Sequence, residues 1–350
     1  MKAMSILRRS YSPKSLNNSR FCRRRSAFLV VLGGVFLLLG FAAALIFGST
    51  SISIGNLISS LVSGKLSDPS LRIFLYSRLP RALSALLAGS ALAVAGVIIQ
   101  AVLGNPMAAP NIIGVNAGAG FSAILLMALF PTALSFLPVA AFVGATGACL
   151  IIYFIASRTG AGRVTITLVG IAVGSILTAG INTVKTVFPD TVYDASSFLI
   201  GGLAGVNYSK LSPAWIIILV CLLCATLLSS RVDILTLGEE SATGLGLNVS
   251  LWRFILLILA SALAGAAVSF AGLLGFIGLI VPHIMRRLVG NRHSLLIPMS
   301  AMGGGTLVLI CDLAARVIFA PYEIPVGIIL SLLGGPFFIV LVLTQRRGQG

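Results

Sequence analysis

The chain has 350 residues, 58% hydrophobic and only 9% charged, with a mean hydropathy of +1.09. Those values exclude a soluble globule, because such domains are about 45–50% apolar and about 25% charged. The net charge of +16 reflects scarce acids, with Lys and Arg in loops and at span ends, so it suggests membrane topology and gives no reason to invoke nucleic acid.

Residues 1–26 form a basic arm (Lys2, Arg8, Arg9, Lys14, Arg20, Arg23, Arg24, Arg25) expected to be disordered and cytoplasmic, with anionic lipid contact open to it. The apolar run behind it, Ala27–Phe47, is too long for the core of a signal peptide and has no small-residue cleavage site close after it. It reads as an uncleaved first span. Further apolar segments follow at Ala82–Leu103, Asn111–Phe130, Leu134–Ala156, Val164–Phe188, Pro213–Ser229, Leu251–Phe270, Ala271–Leu288, Ser294–Arg316 and Glu323–Thr344. The expected fold is therefore all-α: a polytopic transmembrane bundle of about ten spans over residues 27–344, with a tail at 345–350 and both termini cytoplasmic. With that orientation only Lys65, Arg72, Arg78, Arg81, Lys185, Lys210 and Arg316 of the 24 Lys and Arg fall outside. The bias agrees with the positive-inside rule.

Small residues recur at helix-packing spacing (Ala85, Gly89, Ala93; Gly114, Gly118; Gly170, Gly174; Gly265, Ser269), which predicts a tight bundle, with hinges as the alternative use of the same glycines. Four of the five cysteines lie in apolar segments, and the Cys221–Cys224 spacing lacks the electropositive setting of a reactive thiol. Pro282 interrupts an apolar segment and should kink it, which places that segment against protein or a pathway. His283 reads as a hydrogen-bonded structural residue and not as a metal ligand. No metal site is expected.

The longest polar interval in the second half is the loop 230–253, which holds Asp233, Glu239 and Glu240. Asp233 suits a cap, Gly238 ends a first short helix, and the glutamates fall in the first turn of a second that Gly244 and Gly246 stop. Two short helices across a membrane-facing surface suit a gripping partner; a merely solvated loop fits the pattern as well. At the other face, Arg78 and Arg81 share one side of a helix mouth, where they either snorkel to headgroups or await an acidic partner. Lys185 poses the same choice between snorkelling and an anionic ligand. Asp312 lies inside a span, where an ionised carboxylate costs on the order of 2.5–3.5 kcal/mol, and Arg316 at i+4 is its expected structural partner.

The blocks RLPRALSALLAGSALAVAGVIIQAVLGNPMAAPNIIGVNAGAG, LGEESATGLG, GLLGFIGLIVPHIMRRLVG and CDLAARVIFAPYEIPVGIILSLLGGPFFIVLV, spread over residues 71–344, resemble the FecCD family. Its members are the membrane subunits of ABC importers for ferric siderophores, haem and vitamin B12. The resemblance implies a ten-helix subunit paired with a copy or a close relative, two ATPase subunits inside and a substrate-binding protein outside. It implies that Leu237, Gly238, Glu239, Glu240, Ala242, Leu245 and Gly246 couple to the ATPase, and that Arg78, Arg81 and Arg316 receive glutamates of the binding protein. The chain has no phosphate-binding loop of its own, since Ser63-Gly64-Lys65-Leu66 lacks the upstream glycine and the Ser/Thr after the lysine. ATP and Mg therefore belong to a partner, the plasma or inner membrane is the expected location, and no catalysis is expected. The competing reading is a secondary transporter that uses Asp312 for ion coupling.

Overall fold

The computed structural model describes residues 13–48, 69–158 and 162–346. The start of the basic arm, the Ser63–Leu66 tetrapeptide and Arg347 lie outside the described residues. Helix α1 (Pro13–Ile46) begins within the basic arm and runs unbroken into the first span. A short helix α2 (Pro69–Ile73) continues through a π-helical turn, Phe74–Arg78, into α3 (Leu79–Leu103). There follow α4 (Val115–Leu129), α5 (Leu137–Ser157), α6 (Arg163–Val187), a short α7 (Val192–Ile200) and α8 (Tyr208–Leu227). Two small helices, α9 (Ser229–Thr236) and α10 (Glu239–Gly244), lead to α11 (Val249–Ala271), α12 (Ile277–Val289), α13 (His293–Val317) and α14 (Val326–Arg346). No strand occurs among the described residues.

Helix α3 is the axis of the bundle. Its alanine- and glycine-rich sequence lets neighbours close in on every side, principally α13 and α11, and nearly all of it from Pro80 to Leu103 is buried. A β-carbon added at Gly89 would collide with the Gly304 carbonyl, and one at Gly96 with the Gly278 carbonyl. Hydrocarbon supplies no hydrophobic drive between helices, so contact at backbone distance is the attraction that remains. Gly118 meets Gly144 in the same way between α4 and α5, whereas Gly174 on α6 has open space beside it. The small-residue pattern thus marks packing at Gly89 and Gly118 but not at Gly174.

Among the described residues, eight helices are long and apolar enough to cross a membrane. The two remaining predicted spans are occupied by shorter helices. In the first, the 3-10 turn Pro110–Ile113 and Gly114 in the left-handed region (φ 70°) leave α4 only 15 residues. In the second, α11 ends at Ala271, and positive φ at Gly272 (68°) and Phe276 (66°) holds the chain open before the 13 residues of α12. Such backbone survives at membrane depth only inside protein. Here Leu273 N donates to Phe198 O (3.1 Å), Gly202 N to Ala271 O (2.9 Å) and Gly327 N to Gly201 O (3.1 Å), so three interrupted segments satisfy one another.

The interruption lies before Pro282, and α12 runs on through that proline. Pro282 cannot donate to the carbonyl of Gly278, one turn earlier. The buried Gln100 side chain supplies the missing donor, its Nε2 lying 3.1 Å from Gly278 O, while its Oε1 accepts from Arg286 (3.0 Å). One amide of α3 thereby completes α12 at two points. His283 does not take the expected hydrogen-bonded role through Nε2, which has no partner; its ring sits edge-on against Phe337 at 5.9 Å.

Candidate functional site

The loop 230–253 folds as α9, a turn at Gly238 (φ 102°) and α10, closed by Gly246 (φ 79°). Ala242 is fully buried and Leu235 and Leu247 pack beneath it, so the turn is fixed from below. Leu237 (61% exposed) and Leu245 (63%) point the other way, beside exposed Glu240. Glu239 and Glu240 both occupy the first turn of α10, but their roles differ. Glu239 pairs with Arg253, a buried guanidinium of α11, and so ties the short helix to the bundle. Glu240 remains at the surface, as Leu237 and Leu245 do.

Asp233 does not cap its own turn. It lies within α9 and its carboxylate accepts from the backbone N of His293 (3.0 Å) and meets His293 Nδ1 (2.6 Å). The acid therefore sits at the amino end of α13, where the helix leaves unpaired N–H groups and a positive dipole. Arg163 of α6 reaches Leu235 O from another side (3.3 Å). The loop is thus connected to α6, α11 and α13 by separate polar contacts.

At the opposite end of the bundle Asp312, 1% exposed, bridges two arginines. Arg81 Nε lies 3.0 and 3.1 Å from its two oxygens, and Arg316 Nε lies 3.1 Å from Oδ2. Arg81 also reaches Glu323 Oε2 at 2.6 Å. Arg316 donates to Ala44 O and Phe47 O (each 3.3 Å), and Arg78 donates to Leu45 O (3.0 Å) and Ile46 O. The last carbonyls of α1 have no intrahelical donor, and two guanidiniums satisfy them. The predicted pair of Asp312 and Arg316 is present; Arg81, 231 positions away, is the better-aligned partner. All three arginines expected at a docking surface are buried: Arg78 4%, Arg81 9% and Arg316 3% exposed. Among the described residues toward this end, Glu323, Arg72, Lys210 and Tyr322 are exposed.

A cavity of about 350 Å³ opens next to this network, lined by Arg81, Glu323 and Lys210 on one hand and by Phe198, Phe270 and Pro325 on the other. Helix α6 offers a different polar surface. Ser175, Thr178, Asn182 and Thr186 follow one another at helical spacing, all exposed. The hydroxyls of Ser175, Thr178 and Thr186 donate to carbonyls one turn back. Sequence hydropathy hides this stripe because Val164, Leu168, Ile171 and Ile176 on the same helix keep the average apolar.

A helical bundle with interrupted membrane segments, an exposed turn at one end and a cavity at the other defines a membrane transport subunit. The chain belongs to the FecCD transport family, which matches residues 36–344. Among its relatives, the Fe(3+)-citrate import system permease protein YfmE of Bacillus subtilis is 40% identical over 275 residues, 78% of this chain and 82% of that one. The hemin transport system permease protein HmuU of Yersinia pestis is 37% identical over 323 residues, 89% and 96% of the two chains. A solved structure, an inward-facing conformation of a "metal-chelate type ABC transporter", superposes with a TM-score of 0.82 at 28% identity, covering 91% of this chain and 99% of that one.

Proposed function

We propose that this permease carries a ferric chelate or a related metal complex such as haem, and that the turn 237–246 seats in an ATP-binding-cassette ATPase on the cytoplasmic side. The observation that carries the coupling is the exposed trio Leu237, Glu240 and Leu245, mounted on a turn whose underside is buried. Apolar anchors beside a charge suit a protein groove, and a loop with no partner has no use for two leucines held in water. Movement of the turn reaches the membrane through Asp233 to α13, Glu239 to α11 and Arg163 to α6.

The pathway forms where α6 meets a second permease subunit, a copy or a close relative. Ser175, Thr178, Asn182 and Thr186 would be costly against lipid, above all the Asn182 amide, and are at home along water. A substrate-binding protein docks at the opposite face. Arg78, Arg81 and Arg316 contribute there from beneath, by holding α1, α3 and α13 in register, and Glu323, Arg72 and Lys210 make the outward contacts. Ion coupling at Asp312 has little chemical basis, because two guanidiniums already neutralise the carboxylate.

Reconstitution with the ATPase and binding protein tests this reading. Uptake of ferric chelate should require ATP, and Glu240→Lys should lower it roughly tenfold while membrane insertion is unchanged. Uptake that persists without ATP and collapses with an uncoupler would contradict it.

A further inference from the structure

Helices α1, α12 and α13 line an apolar groove of about 330 Å³. Its floor is α13, through Met299, Met302, Thr306 and Ile310, and its walls are Leu32 and Phe36 of α1 and Ile284 and Leu288 of α12. Each set recurs at three- and four-residue spacing, so three helix faces are aligned along one channel. The floor spans twelve residues, a rise of roughly 16 Å at 1.5 Å per residue, about the depth of one leaflet of a 30 Å hydrocarbon core.

The two long walls run parallel. A β-carbon at Gly33 would meet Met299, and one at Gly40 would meet Thr306, so α1 and α13 keep the same offset over seven residues. Carried back by one more such step, that offset sets Ser26 of α1 level with Arg292, just before α13. The groove therefore ends, on the side of the loop 230–253, where the α1 backbone carries Arg23, Arg24 and Arg25 and where Arg287 and Arg292 are exposed. None of the eight carboxylates of the chain lies in these three stretches of sequence, and Asp233, which reaches the start of α13, is already engaged by His293.

We infer that this groove is a binding site for an anionic phospholipid, with one acyl chain along the methionine-lined floor and the phosphate at Arg287 and Arg292. Methionine suits the floor because it conforms to a mobile chain. A basic rim on an interhelical groove supplies headgroup selectivity, because each cation near the surface favours an anionic lipid over a zwitterionic one. The site seats α1 against α12, which otherwise meet only lightly, since α1 leans on α13.

The full-length chain, purified in detergent, is mixed with equal phosphatidylglycerol and phosphatidylcholine of identical acyl chains, and bound lipid is measured by native mass spectrometry. Phosphatidylglycerol should be retained roughly tenfold over phosphatidylcholine, with the preference falling as salt rises. R287Q/R292Q should abolish the preference while keeping a residual neutral-lipid signal, and I310W, which fills the groove at the exposed end of its floor, should reduce both lipids. Inorganic phosphate at the same concentration should displace neither. Equal retention of the two lipids by the parent chain, a salt-independent preference, displacement by free phosphate, or an unchanged preference in R287Q/R292Q would overturn the assignment.

Discussion

The two charged regions of this permease are built on opposite plans. At one end Arg81, Arg316, Asp312 and Glu323 close on one another, and Arg78 and Arg316 turn their remaining donors to the end of α1. At the other, the turn 237–246 buries Ala242 and leaves Leu237, Glu240 and Leu245 outward. Charge alone does not mark a docking surface. What separates the two is what is left uncovered: the first region is a clasp among α1, α3, α13 and the segment before α14, and the second, with Glu239 paired to Arg253, still holds two leucines and Glu240 at the surface.

Mutations should break this contrast asymmetrically. Asp312→Ala leaves two buried guanidiniums without their shared carboxylate and should cost about 3–5 kcal/mol, read as lost thermal stability in detergent. An Asp312→Ala chain as stable as its parent would mean that the clasp is hydrated and open, and the contrast would fail. Gln100→Leu strips the donor from Gly278 O and the acceptor from Arg286, and should cost about 1–3 kcal/mol with faster hydrogen exchange confined to α12. Asp233→Ala removes the acceptor at the start of α13 for about 1 kcal/mol, and the same variant should lower ATP-driven uptake more than its stability loss explains. Uptake that merely tracks stability would reduce this contact to a cap.

Much of the architecture is legible in the amino-acid sequence. Hydropathy locates all eight long spans, and helix signals place the turn at Gly238 and both glutamates in the first turn of α10. The i+4 rule finds Asp312 and Arg316. Rules of this kind are local, so they miss what distant segments do for one another. Nothing in RLPR states that Arg81 pairs with Asp312 or that Arg78 caps α1. The expected short cap at Asp233 became a bond to His293, 60 positions on, because the amino end of a buried helix needs an acceptor more than an exposed turn does. The split of two apolar runs into short helices was hidden for a related reason. Gly272 and Phe276 break α-helix only because Phe198, Gly201 and Gly334 are there to receive them.

Cross-linking from position 245 is the most direct test. In a chain whose five cysteines are replaced by alanine, Leu245→Cys should form a thiol-specific cross-link to the ATP-binding-cassette subunit in intact membranes, and a membrane-impermeant reagent should label it only from the cytoplasmic side. Labelling from the outer side, or cross-linking to no other subunit, would contradict the account.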